Sequence, residues 1–213
     1  MAARDYGQYC GVTRGLELVG ERWALLIVRD LLVGPRRYGE LAAGLPRIPS
    51  NILAARLKEL QAAGVIRRAP RSRVIVYELT PYGRELEPVV LALGAWGFRA
   101  LGDPRAGQII TPDSMTIELR TAFRPQVAAN LPATAYAARF GPAELLIRVD
   151  GATLDVTRED GPVDLAFAAG PGIRRLISGE LAPDRAIATG VVEVLRGRAS
   201  LLDRFASTFH LAA

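Results

Sequence analysis

The chain has 213 residues, half of them hydrophobic and 23% charged, a balance that can bury a core without disulfide or metal staples and that excludes disordered and collagen-like proteins. No apolar run approaches the roughly 18 to 20 residues of a membrane-spanning helix. The first ten residues lack the basic-then-apolar layout of a secretion signal, so the expectation is a cytoplasmic protein of two modest domains. The net charge of +5 is lopsided: residues 1–103 hold 15 basic against 10 acidic groups, whereas residues 104–213 hold 12 of each. Residues 36–73 alone carry nine basic groups against Glu40 and Glu59. Such a patch concentrates polyanions, although a solvated basic face is the simpler alternative. The single cysteine, Cys10, and the single histidine, His210, cannot assemble a dedicated metal site or an internal disulfide, and no cofactor is expected.

In chain order, residues 12–19 and 21–33 read as two helices. Trp23, Leu26, Ile27, Leu31 and Leu32 recur at helical spacing, with Gly20 and Gly34-Pro35 as punctuation. A short helix over 38–43 and a longer one over 50–63 follow. Residues 65–69 and 74–79 are rich in β-branched residues and joined by Pro70-Arg71-Ser72-Arg73, which predicts a hairpin with a basic tip. Thr80-Pro81 has the chemistry of a helix start, and the helix it opens either kinks at Pro88 or begins properly there. The segment 102–108, with two glycines and a proline, is the expected domain boundary, giving domains 1–104 and 105–213.

A short helix, a tight turn and a second helix can hold the second helix in a major groove about 12 Å wide. On a wheel of about 100° per residue, Leu53, Leu57 and Leu60 form one apolar stripe. Asn51, Ala54, Ala55, Lys58 and Ala62 lie opposite. Asn51 can pair bidentately with adenine, Lys58 can reach a guanine edge or a phosphate, and Ala54 and Ala55 allow close approach. Ser50 could cap the helix or bind a phosphate. Arg56 lies nearer the apolar stripe and reads as a structural partner of Glu59. Arg36 and Arg37 before the short helix, with Arg71 and Arg73 at the hairpin tip, are placed to bind phosphates, which position a protein without specifying sequence.

These residues carry a resemblance to the HxlR family of bacterial winged helix-turn-helix transcription regulators. The matching pieces are Cys10, Leu16-Glu17-Leu18-Val19-Gly20, Trp23, the run 25–32, the run 34–41 (GPRRYGEL), Leu45-Pro46, Ile48, Leu53, Arg56-Leu57, Leu60, Gly64 and the run 77–83 (YELTPYG). They span about residues 8–100. Many members begin with Cys-Pro where this chain has Cys10-Gly11, and Pro49 stands where a serine is often found. The resemblance implies a homodimer built through the first and last helices, here about 13–19 and 85–101, with Leu16, Val19, Leu86, Val90, Leu93 and Trp96 as candidate interface residues. It also implies a palindromic double-stranded DNA operator as partner, and a cysteine that can act as a redox or electrophile sensor. A buried, inert Cys10 thiol is the plainer reading.

In the second half, the segment 115–131 reads as a helix interrupted at Pro125. Residues 134–140, 144–149, 153–157 and 163–168 read as strands with glycine turns between them. A short helix over 173–178, a strand over 190–195 and a closing helix over 201–209 complete it, and a meander is the simplest topology. Through Ile177-Ser178-Gly179-Glu180-Leu181 and Gly190-Val191-Val192-Glu193-Val194 this half resembles the sterol-carrier-protein-2-like fold. That implies an α+β domain with a mostly antiparallel sheet covered by helices around an apolar cavity that could take a small apolar effector. Phe123, Phe140, Phe167, Ile177, Leu181, Phe205 and Phe209 are the candidate cavity residues, although most apolar residues of so small a domain are core. No catalytic grammar is present, so an enzyme is not expected. The alternative function is a lipid or hydrophobe carrier whose basic half lies on anionic membranes. Basic groups spread over a turn, a helix and a hairpin tip suit that reading poorly, and no membrane partner is expected.

Overall fold

A computed structural model describes residues 5–212. The chain forms two compact units, one ending at Val90 and the other running from Leu91, so the last helix of the first region crosses the division.

In the first unit, α1 (Gly11–Val19), α2 (Ala24–Val33), α3 (Tyr38–Gly44) and α4 (Ser50–Ala62) precede the strands β1 (Ile66–Arg71) and β2 (Val74–Leu79). Of the apolar positions expected from the sequence, Ile27, Leu31, Leu32, Leu53, Leu57 and Leu60 are buried, as are Leu41, Ile66 and Leu79, whereas Leu26 is exposed. α2 starts three residues later than its periodicity suggests because Trp23 takes a left-handed backbone, φ 81°, which a residue with a bulky side chain adopts only at a local cost. β1 and β2 pair antiparallel from Ile66↔Leu79 to Arg71↔Val74. Arg36 and Tyr77 exchange backbone hydrogen bonds of 3.0 and 2.7 Å, an isolated bridge on the far side of β2 from β1. That leaves β1 at the sheet edge, where its Pro70 needs no ladder partner.

Thr80 closes the sheet and opens the next helix. Its hydroxyl donates to the Gly64 carbonyl at 2.6 Å and accepts from the Gly83 N–H at 3.0 Å. Of the two readings at Pro88, the structure takes the second: a single turn, α5 (Pro81–Arg84), stops before α6 (Glu87–Phe98). A Cβ on Gly83 would stand 2.0 Å from the carbonyl oxygen of Val65, at the entry to the β1–β2 hairpin that forms the wing of this unit, so only glycine lets α5 approach it this closely.

The second unit contains α7 (Pro112–Ala122), α8 (Pro125–Ala128), β3 (Thr134–Phe140), β4 (Ala143–Asp150), β5 (Thr153–Thr157), β6 (Leu165–Ala169), α9 (Ile173–Ile177), α10 (Pro183–Ala188), β7 (Val192–Gly197) and α11 (Leu201–Thr208). The sheet order is β5-β4-β3-β6-β7, and β6 runs parallel to β3. The sheet is therefore mixed, and neither the meander nor the mostly antiparallel sheet expected from the sequence is what forms. After β5 the chain returns to the far side of β3. Asp164 anchors it there, its N–H donating to the Ala135 carbonyl and its carboxylate accepting from the Ala135 N–H, both at 2.9 Å. Tyr136, Ala138, Phe140, Ile147, Leu165 and Phe167 share the packed face. Phe205 of α11 meets Tyr136 edge-on at 5.4 Å and Phe167 at 5.2 Å between ring centroids, and lies 4.7 Å from Phe209. The architecture is α+β.

Candidate functional site

In the first unit the basic surface is built on α4. Leu53, Leu57 and Leu60 are buried, and Asn51, Ala54, Lys58 and Ala62 on the opposite side are exposed, with Ala55 half-buried. Helical geometry alone presents these groups to solvent as one strip. Ser50 is the first residue of the helix, Pro49 occupies the cap position, and no side-chain cap bond forms there; the capping role open to Ser50 is not used. Its carbonyl instead accepts the Tyr38 hydroxyl at 2.8 Å, tying the start of α3 to the start of α4. Arg56 pairs with Glu59 at 2.5 Å and with Glu21 at 3.1 Å. Its charge thus serves the packing of α4 in the first unit, as its place on the wheel suggests.

The flanking arginines differ in freedom. Arg36 is half-buried, and its guanidinium donates to the Pro35 carbonyl at 2.9 Å, so it serves the root of the wing. Arg37 is exposed, and its N–H donates to Glu40 at 2.6 Å. Arg37, Arg71, Ser72 and Arg73 line one open groove between the start of α3 and the hairpin tip. At the tip, Ser72 takes φ 55° to make a two-residue turn. Arg71 pairs with Glu78 at 3.1 Å while Arg67, directly across the hairpin, pairs with the same carboxylate at 2.7 Å. These two guanidinium hydrogen bonds, Arg67's first, hold the Glu78 carboxyl below its ordinary pKa. Arg73 is exposed at the tip. Arg47, exposed in the turn between α3 and α4, is a further cation that the sequence reading counted without singling out; a basic residue between two short helices was the available signal.

Of the candidate interface residues, Leu16, Leu93 and Trp96 are exposed, Trp96 by 72%, and Leu86 is half-buried. Val19 and Val90 are buried, facing inward on their helices; they belong to the core and offer no surface. Cys10 occupies the cap position of α1 and is exposed, contrary to the buried thiol the plainer reading expected. Backbone N–H groups of Thr13 and then Val12 at the helix start lower its pKa.

In the second unit the expected cavity does not lie among the phenylalanines. Phe140, Phe167, Phe205 and Phe209 are fully buried and in mutual ring contact at 4.7 to 6.0 Å, which fills the space. Phe123, half-buried, stacks on Phe209, and Leu181 packs against the same core. Of that set, Ile177 faces an apolar cavity of about 230 Å³ whose other walls include Phe98, Ile110, Met115 and Ile173, while Phe167 borders a separate pocket shared with charged Arg139, Arg158 and Glu159. Glu118 is part of the wall of the Ile177 cavity. Its Oε1 is sealed from solvent and has no hydrogen-bond partner among the described residues, and burial pushes its pKa up to about 7. Sequence reasoning missed Glu118, although it stands three residues after Met115 and four before Ala122, on the side of α7 that both bury.

This acid makes stability fall with pH. Its folded-state pKa lies above the unfolded value, so between about pH 4.5 and 7 the folded chain binds the extra proton and gains from it; that gain is lost as pH rises through about 7. Stability is expected to drop by about 2 kcal/mol from pH 5 to pH 8 on this account, less than the full shift would give because the residue is only half-buried. Glu118→Gln should remove this part of the slope. Urea titrations at the two pH values check it, and equal slopes in both proteins would refute it.

No helix among the described residues is long and apolar enough to cross a membrane. The HxlR-like helix-turn-helix family matches residues 18–104. The uncharacterized HTH-type transcriptional regulator Rv3095 of Mycobacterium tuberculosis is 43% identical over 101 residues, 46% of this chain and 63% of its own length. The uncharacterized HTH-type transcriptional regulator YvaP of Bacillus subtilis is 37% identical over 86 residues, 39% of this chain and 80% of its own length. Among solved structures, the redox regulator HypR in its reduced form is 30% identical, with 44% of this chain and 95% of that one covered and a TM-score of 0.41. The chain thus spans under two thirds of the mycobacterial relative and most of the Bacillus one. Through residues 18–104 it belongs to the HxlR-like helix-turn-helix family.

Proposed function

We propose that the protein is a transcription regulator that binds a palindromic DNA operator as a homodimer, with a second unit, sterol-carrier-like in plan, that holds a small apolar effector. The observation that carries this reading is the exposed strip of α4, Asn51, Ala54 and Lys58, set opposite buried Leu53, Leu57 and Leu60 in the stretch that matches the family. A helix fixed by its apolar side offers its polar side to the major groove. There Asn51 reads adenine, Lys58 takes a guanine edge or phosphate, and Arg37, Arg71 and Arg73 hold the flanking phosphates. The exposed apolar side chains Leu16, Leu93 and Trp96 support association with a second copy, which doubles the base contacts on a two-fold site. An effector alters DNA affinity only by binding one arrangement of the dimer better than another. Thiol chemistry at exposed Cys10 is a second route to the same control. Equal operator binding by wild type and Cys10→Ser, with and without diamide, would remove it.

The roles separate experimentally. Because Glu78 already engages Arg71, Arg73 is the cleaner phosphate probe. Arg73→Ala should weaken all duplexes about equally and reduce the salt slope by about one. Asn51→Ala should cost about 1 to 3 kcal/mol at a single base-pair position and relax specificity there. Titrations of wild type and both variants on a selected duplex at several salt concentrations check this. Unaltered affinity in both variants would show that α4 and the wing do not dock as described.

A further inference from the structure

The cavity in the second unit has one polar feature that its own fold does not explain. Its walls are apolar, from Phe98, Ile110, Met115, Ile173 and Ile177, as ligand sites usually are, with few polar groups to fix orientation. The other polar lining side chains each have at least one partner. Arg174 donates to both oxygens of Glu180, at 2.6 and 2.8 Å. The Ser114 hydroxyl bonds to Thr111 at the start of α7, and the Gln108 side-chain oxygen accepts from Arg105 at 2.7 Å. Glu118 differs: it lines the cavity while remaining partly exposed, and since its Oε1 is sealed from solvent with no donor among the described residues, the other carboxyl oxygen is the one an occupant can reach. A carboxyl group that burial has stripped of donors is costly to ionise in the empty protein, and a cation at its reachable oxygen offsets that cost.

We propose that this cavity takes a small organic cation, an apolar ring body bearing a protonated amine whose N–H donates to Glu118. This deepens the effector reading of the second unit and rests on it. Charge decides between the classes of ligand. An anion would bring a second negative group beside Glu118, and the one arginine in the wall is already neutralised by Glu180. A neutral alcohol satisfies the hydrogen bond and leaves the carboxylate charge uncompensated. An ammonium does both, through a charge-assisted bond about twice as strong as a neutral one, while its ring body replaces water against Met115, Ile173 and Ile177.

Three probes of one shape separate these cases at pH 8, where Glu118 is ionised: 1-naphthylmethylamine, 1-naphthalenemethanol and 1-naphthoic acid, titrated calorimetrically into the full chain without DNA. The amine is expected to bind at least about tenfold tighter than the alcohol, and the acid more weakly than either. In Glu118→Gln the amine's advantage should shrink to within about twofold, with alcohol binding and a single cooperative melting transition retained. An amine that binds no tighter than the alcohol, an advantage that survives in Glu118→Gln, or no binding by any probe would overturn the assignment. A parallel operator titration keeps the two readings apart. Intact operator binding with no amine binding refutes the cation site alone, whereas amine binding that leaves operator affinity unchanged refutes the effector role and leaves the site standing.

Discussion

Phe205→Ala is expected to destabilise the second unit by about 3 to 5 kcal/mol, the range for removing a large buried aromatic ring. Phe205 is fully buried and touches Tyr136, Phe167 and Phe209. It joins the closing helix α11 to the two central strands β3 and β6 in one contact set. Tyr136 and Phe167 are held on the sheet strands β3 and β6 and cannot close over the gap, so the cavity cost adds to the lost transfer energy. Phe205→Leu should lose markedly less. Urea unfolding followed by circular dichroism measures both. A loss below about 1 kcal/mol for the alanine variant would mean that space already exists around the ring and would restore the cavity to the phenylalanines, where the sequence reading placed it.

The second large effect is expected on DNA binding. Leu93→Glu should leave the chain folded and monomeric and reduce operator affinity by at least about a hundredfold, because a carboxylate cannot be buried unpaired in an apolar interface and a monomer keeps half the contacts. Leu93 is suited to this because it is 47% exposed within the chain, so a charge there meets water in the monomer. Val90, one turn away but buried, would confuse loss of association with loss of fold. Sedimentation equilibrium and the melting curve separate these effects. A Leu93→Glu protein that remains dimeric would remove α6 from the interface.

What could be read in advance follows from the range of the interactions. Periodicity is local, so the helices of the first unit, the hairpin, and the inward side of α4 at Leu53, Leu57 and Leu60 were all legible in the sequence. Thr80-Pro81 also marked its helix start correctly, since a cap is made by residues three apart. Strand neighbours are not local. Alternation shows which side of β3 and β6 is buried and says nothing of which strand lies beside which, so the parallel pairing of residues 136–140 with 165–169 was hidden. The phenylalanines misled for a related reason: an apolar side chain is needed both to fill a core and to line a cavity. Glu118 was the better clue, a carboxylate on the buried side of α7, but its meaning depends on α9 and the 101–110 segment closing over it. In the DNA-reading face, the residue types were legible, whereas the loss of Arg36 to the wing root and of Arg71 to Glu78 required the hairpin register.

Selecting bound duplexes from a random-sequence pool with the full chain shows whether two copies read DNA through α4 and the wing. The expected result is enrichment of two inverted half-sites whose centres lie about one helical turn apart, roughly 10 to 10.5 base pairs, or a multiple of that. No enriched sequence, or a single half-site without its inverted copy, would contradict it.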